Sequence, residues 1–163
     1  GKYMTGYYEE ADSWGRQGTM ARVKKSDGWA VIDRQGTILI DKCDSIDSLP
    51  VISDNGTAVR DGHVLLLHYS DSSDKSASVQ VVKEFEQFTE VAEVFNSQFA
   101  IVKGTDGYGA IDLNGNMIVP AVYKDLTWDS YKIQGEVFKK EIIFKGKKEN
   151  DRLDVVDWKP QSD

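Results

Sequence analysis

Cys43 is the single cysteine among 163 residues. No disulfide can form within the chain, and a multi-thiolate zinc site is excluded for want of a second cysteine. The lack of disulfides fits a reducing compartment, although exported domains also fold without them. Histidine is nearly as scarce, with His63 and His68 alone, and there are three prolines. No apolar run approaches the roughly 18 residues of a helical membrane span. Basic side chains are outnumbered, 20 against 27, for a net charge of −7 and a pI near 4.9. That balance argues against the basic footprint of a nucleic-acid or anionic-membrane binder. A glycine-rich phosphate loop and a Gly-x-Ser-x-Gly nucleophile elbow are both missing. The sequence opens on Gly1 rather than Met, which reads as a trimmed chain from which a targeting segment could have been removed.

What the chain does have is internal repetition. Residues 21–40 read ARVKKSDGWAVIDRQGTILI and residues 100–119 read AIVKGTDGYGAIDLNGNMIV. At a constant offset Ala21, Val23, Lys24, Asp27, Gly28, Ile32, Asp33 and Gly36 recur as Ala100, Val102, Lys103, Asp106, Gly107, Ile111, Asp112 and Gly115. The shared residues are turn formers between alternating apolar runs. Asp27-Gly28 and Asp106-Gly107 are the Asp-Gly pairs of a tight hairpin, expected as type I′ turns with Gly supplying positive φ. In Asp33-Arg34-Gln35-Gly36 and Asp112-Leu113-Asn114-Gly115, Asp opens a type I turn and a left-handed Gly closes it.

Weaker copies fill the remainder. Asp61-Gly62 centres a second copy in which Leu67 takes the place of Asp33, and Asp157 continues the series after Asp112. The fourth copy is expected to pair Ile142–Lys145 with Leu153–Asp157 across a long charged turn. Val79–Phe85 and Thr89–Phe95 read as further strands, and Ser70–Ser76 as a polar loop. Asn55-Gly56 reads as a turn, although Asn55-Gly56-Thr57 is formally a glycosylation sequon. The expected architecture is all-β: degenerate β-hairpin repeats of about 40 residues in an antiparallel meander array or a partly closed barrel. One repeat domain spans 1–163, with copies near 19–46, 56–90, 98–126 and 137–158.

The two clear copies resemble the WG-repeat family of bacterial proteins. Copy three carries the resemblance in Gly107-Tyr108-Gly109-Ala110-Ile111-Asp112, Gly115, Ile118-Val119-Pro120 and Tyr123. Copy one departs from it: Ala30 follows Trp29 where the family has Gly, Asp41 replaces the proline, and Cys43 or Asp44 stands near the tyrosine position. The resemblance implies an interaction scaffold without shared catalytic residues. It carries over the turn roles of the named residues and no binding residue.

Candidate chemistry is thin. His63 and His68 are five apart, so on a regular strand they point to opposite faces and cannot share a metal. Cys43 reads as a small buried hydrophobe. Asp112-Leu113-Asn114 mimics the start of a calcium loop but lacks the later ligands, and acids at Asp41, Asp44, Asp47, Asp71 and Asp74 select no catalytic pair. Trp29 and Tyr108 read as packing residues between hairpins. Tyr7, Tyr8, Trp14, Trp128 and Tyr131 fall outside the repeat's regular slots and are the candidate recognition aromatics. The expected function is non-catalytic binding, with another protein as partner. The alternatives are a glycan-binding domain of an exported protein and a hydrolase. No catalytic residue, metal or cofactor is expected, nor nucleic acid or membrane insertion; an exported or cell-envelope location is favoured over a cytoplasmic one.

Overall fold

The computed structural model describes residues 8–51, 53–71, 76–132 and 140–160. Among them there is no helix, and the strands form four open antiparallel sheets. The first sheet is a meander of β1 (Glu10–Ala11), β2 (Met20–Lys25), β3 (Gly28–Asp33) and β4 (Ile38–Cys43). The second runs through β5 (Ser45–Ile46), β6 (Asn55–Arg60), β7 (His63–Asp71) and β8 (Ala77–Phe85). The third holds β9 (Phe88–Phe95), β10 (Phe99–Gly104), β11 (Gly107–Asp112) and β12 (Met117–Tyr123). The fourth has three strands, β13 (Asp125–Lys132), β14 (Lys140–Lys147) and β15 (Leu153–Trp158). Residues 72–75 of the polar loop, 137–139 of the fourth copy and the tail at 161–163 lie outside the described residues, as does Tyr7.

The chain divides into two compact units, 1–91 and 92–163, with the boundary inside β9. In the first unit, Met20, Val31, Ile40, Cys43, Ile46, Leu65, Leu67 and Tyr69 form a core shared by the first two sheets. In the second unit, Phe99, Ile101, Val119, Tyr123, Ile142 and Phe144 do the same for the last two. Each such buried side chain contributes on the order of 1.5–3 kcal/mol. A lone hairpin would leave one apolar face in water, so pairs of sheets are the smallest stable unit.

The hairpin turns differ in register from the sequence expectation. Lys25 pairs with Gly28 and Gly104 with Gly107. The central turn residues are therefore Ser26-Asp27 and Thr105-Asp106, none of which has positive φ. Gly28 and Gly107 are instead the first residues of the returning strand, at φ 133° and 138°. Their lack of a side chain is needed there for space as well. A Cβ on Gly107 would lie 2.5 Å from the Tyr123 carbonyl oxygen, and one on Gly28 2.7 Å from that of Cys43. The type I′ Asp-Gly turn occurs in copy two, where Asp61 and Gly62 have φ of 53° and 74°. That frame makes Gly28 equivalent to His63, so Asp33 corresponds to His68 rather than to Leu67.

The second turn matches its expectation. The Gly36 amide donates to the Asp33 carbonyl at 3.1 Å, and Asp33 Oδ1 accepts from Gln35 and Thr37 at 2.9 and 2.8 Å. Asp112 repeats this with Gly115, Asn114 and Asn116 at 3.3, 2.9 and 2.8 Å. Gly36 and Gly115 have φ of 83° and 96°.

The departure at Ala30 has a local cause. In copy three, five residues from Val119 to Tyr123 span the bulge opposite Tyr108 to Ala110; in copy one, four from Ile40 to Cys43 do so. The extra residue presses its backbone onto Gly109, where a Cβ would lie 2.6 Å from the Val119 carbonyl oxygen. Copy one lacks that residue, and the fully buried Ala30 fits. Asn55-Gly56 is strand rather than turn, paired with His68 and Leu67, and the Tyr69 ring lies over Gly56, 3.1 Å from where a Cβ would stand. The hairpin of Ile143, Phe144 and Lys145 with Asp157, Val156 and Val155 forms, across Lys148–Arg152.

Substituting Val at Gly107 or Gly28 is expected to cost about 2 kcal/mol or more, since both φ and space are lost. Gly62→Ala, with nothing within 4 Å of its Cβ, should cost about 1 kcal/mol. Urea midpoints of the three variants give the comparison.

Candidate functional site

In the first unit an open cleft of about 340 Å³ is lined by Arg16, Gln17, Pro50, Val51, Ser53, Asp54 and Asp71. Its floor is Arg16, whose side chain is only 8% exposed. The turn that presents it holds three successive left-handed residues, Arg16, Gln17 and Gly18, at φ of 51°, 60° and 83°. This strained segment is closed by hydrogen bonds that the Gly18 and Thr19 amides donate to the Gly15 carbonyl. The guanidinium donates to the carbonyls of Pro50 and Ser53 at 3.1 and 3.2 Å, to Asp54 at 2.6 Å and to Asp71 at 2.8 Å. Thr19 Oγ1 donates to the other Asp71 oxygen at 3.0 Å. Burial opposes the charge on Arg16, but the two carboxylates prevail and raise its pKa. The Arg16 hydrogen bond holds Asp71 below the usual carboxylate range. The cleft's charges are thus spent on tying Pro50, Ser53, Asp54 and the end of β7 to the β1–β2 turn.

Other reactive groups are placed in structural surroundings. Cys43 is fully buried, and desolvation pushes its thiol up to about 11. His63 Nδ1 lies 3.4 Å from Glu84 and His68 Nδ1 lies 2.7 Å from Asn55, so the two rings have different partners. Asp41 is lowered: burial works against its charge, and the Lys25 ammonium at 2.8 Å outweighs it. Among the described residues no cluster of three His, Cys, Asp or Glu side chains could hold a metal ion.

In the second unit the contact between adjacent sheets centres on Tyr123. Its ring covers Gly146 of β14, where a Cβ would lie 2.6 Å from the ring, and its hydroxyl donates to Asp154 of β15 at 2.8 Å. In the first unit Cys43 pairs with Trp29 as Tyr123 pairs with Tyr108. By strand register Ala58 stands where Gly146 does, so a small side chain meets a slightly larger one.

Residues 108–128 match the family model of the WG containing repeat. This stretch is similar to a single WG repeat. Comparison with curated proteins and with solved structures finds no match. The matched stretch runs through β11 and β12 into β13. The WG repeat therefore spans the join between two sheets, including the Tyr123 contact, and does not coincide with one sheet.

The match also takes in Trp128, which sequence spacing had set outside the repeat. Trp128 packs tilted against Phe95 and edge-to-face against Phe99, at centroid distances of 4.3 and 5.3 Å, and its indole N–H donates to Glu93 at 2.8 Å. Tyr8 and Trp14 are half-buried against the cluster of Ala21, Val23, Ala30 and Ile32, and the Arg34 guanidinium lies 4.3 Å over the Trp14 ring. Trp29 and Tyr108 are half-buried packing residues. Of the candidate recognition aromatics among the described residues, only Tyr131 is exposed, at 49%.

Tyr131 belongs to a surface that sequence reading missed. By register, one face of the last sheet carries Tyr131 opposite Glu141, Ile143 between Asp129 and Asp157, Lys145 beside Val155, and Lys147 beside Leu153. Leu153 and Val155 are 58% and 56% exposed. Tyr131, Ile143, Val155 and Leu153 thus form a diagonal apolar strip of neighbouring side chains flanked by charges.

Two outcomes are expected of the Arg16 cleft. Arg16→Met should destabilise the first unit by about 2 kcal/mol, the order of a lost hydrogen bond to a charged group with its partners left behind. Because Asp71 has a lowered folded-state pKa, its contribution is present above the unfolded value near 3.9 and is lost as pH falls through the folded value. Asp71→Asn should flatten stability against pH below about pH 4, as read by thermal melts between pH 2 and 6. Cys43 should resist iodoacetamide at pH 8 in the native protein and react readily in urea.

Proposed function

We propose that this protein is a non-catalytic, WG-repeat-like binding module whose partner is another protein. The observation that carries the reading is the apolar strip of Tyr131, Ile143, Val155 and Leu153, a solvent-facing patch rimmed by Asp129, Glu141, Lys145, Lys147 and Asp157. An apolar centre with a charged rim is how protein-recognition surfaces are built.

The titrating groups support the same reading. Asp41, Asp71, Asp151 and Asp154 are all shifted downward by cationic or hydroxyl partners. A general acid needs the opposite shift. Cys43, pushed up and fully buried, is the reverse of an activated nucleophile. Glycan binding calls for a platform of several exposed rings, and among the described residues Tyr131 is the one exposed aromatic.

The test is quantitative affinity capture from the source organism, comparing the wild type with the Tyr131→Ala, Leu153→Lys double variant. A protein recovered by the wild type and depleted about tenfold or more by the variant is expected, roughly the loss of one well-buried anchor. Equal recovery by both, or no protein at all alongside a hit on a glycan array, overturns the reading.

A further inference from the structure

We propose that the outer edge of β15 is a strand-acceptor site, to which an extended segment of a partner protein adds as the fourth strand of the last sheet. This rests on the protein-binding reading and names where and how the partner is held.

Three of the four sheets are complete. In each, the second strand of the central hairpin is covered on its outer edge by a further strand: β3 by β4, β7 by β8 and β11 by β12. β15 is the equivalent strand of the last sheet, paired with β14 on one side. Among the described residues no strand pairs with its other side.

The chain itself is barred from returning as it does in copies one and three. The registers Met20↔Asp33, Phe99↔Asp112 and Ile143↔Asp157 make Asp157 the residue that opens the second turn. Three residues later Asp33 and Asp112 have Gly36 and Gly115, which donate an amide to the Asp carbonyl from a left-handed conformation. Asp157 has Pro160 at that place. Proline has no N–H and its ring locks φ near −65°, so both requirements fail together. Copy two takes another route, with β7 running on to Asp71 before the return, whereas β15 ends at Trp158.

The edge lacks two of the usual guards, lysine and a bulge. Natural edge strands are blunted by lysine, by a bulge or by inward-pointing charge. β15 has no lysine between Leu153 and Trp158, and its pairing with β14 is regular. Asp154 is held by Tyr123 and Arg152. Leu153, Val155 and Asp157 project from the exposed face. An added strand would therefore carry apolar side chains beside Leu153 and Val155 and a Lys or Arg beside Asp157, with backbone hydrogen bonds supplying the remainder. A second copy of the chain fits less well. In the antiparallel self-pairing that engages all six residues, Asp154 would face Asp157 twice, and like charges directly opposite are destabilising.

The probe is an acetylated, amidated peptide alternating Lys, Thr, Val, Thr, Ile, Thr, titrated into the 15N-labelled chain. The expected result is a saturable shift of amide signals confined to β15 and β14, with slowed hydrogen exchange in β15. Affinity should fall about tenfold or more in Val155→Lys, a variant with an unaltered backbone whose spectrum outside the last sheet should be unchanged. No shift up to millimolar peptide, shifts spread over other sheets, or equal binding by Val155→Lys overturns the proposal. So does concentration-dependent dimerisation that protects β15, which would make a second copy the occupant. If the peptide fails while a captured protein still depends on Tyr131 and Leu153, the strand-acceptor proposal falls and the protein-binding reading stands; if both fail, both fall.

Discussion

Backbone pressed against backbone at Gly28 and Gly107 is the constraint on which the two clear repeats depend. The strand that follows the second turn is bulged, and its end folds over the start of the returning hairpin strand. The carbonyl of Cys43 or Tyr123 then stands where any side chain on Gly28 or Gly107 would have to be. That contact fixes where the third strand of the hairpin meander stops, and so where the chain leaves for the next sheet. Bulges commonly re-aim a strand in this way. The hydrogen-bonded ladders and the cores follow from that placement, because only then do the apolar sides of two sheets face one another.

The same constraint explains how two copies with different sequences keep one form. Copy three has an extra residue in its bulge, a Gly at 109 and a tyrosine that reaches over Gly146 to Asp154. Copy one is a residue shorter and tolerates Ala30, with Cys43 and Ala58 at the corresponding places. These are coupled substitutions, each sensible only given its partner, and none changes the strand order. The first unit adds a polar device in Arg16, which holds two segments in place through charge-assisted bonds and makes that unit's stability sensitive to acid.

Much of the fold was legible in the residues. The repeated Asp-x-x-Gly turn has one physical solution, an Asp carboxylate accepting two amides and a left-handed Gly closing the loop, and it was readable at Asp33 and Asp112. The Asp-Gly pair was less decisive. It suits a type I′ turn, as at Asp61-Gly62, yet at Asp27-Gly28 and Asp106-Gly107 the glycine is demanded by the neighbouring bulge, a contact 15 or so residues away in the chain. The one-residue difference between Leu67 and His68 as the counterpart of Asp33 has a local origin too. Within the run Val64–Leu67 every residue is buried, so no alternation marks the register.

The surfaces were less readable. Arg16 has partners 34 to 55 residues distant, and nothing local announces them. Trp128 looked available because it lay outside the visible repeat, but Phe95 and Phe99 enclose it. Leu153 and Val155 echo Trp29 and Val31 in sequence, yet they are exposed where Trp29 is half-buried and Val31 fully buried. Local sequence determined the strands, the turns and the all-β class, since those depend on φ preferences and alternation within a few residues. Tertiary structure decided which copy of an equivalent strand is covered and which is open. A side chain's burial is set by what packs against it, and among the described residues no strand covers the outer edge of β15.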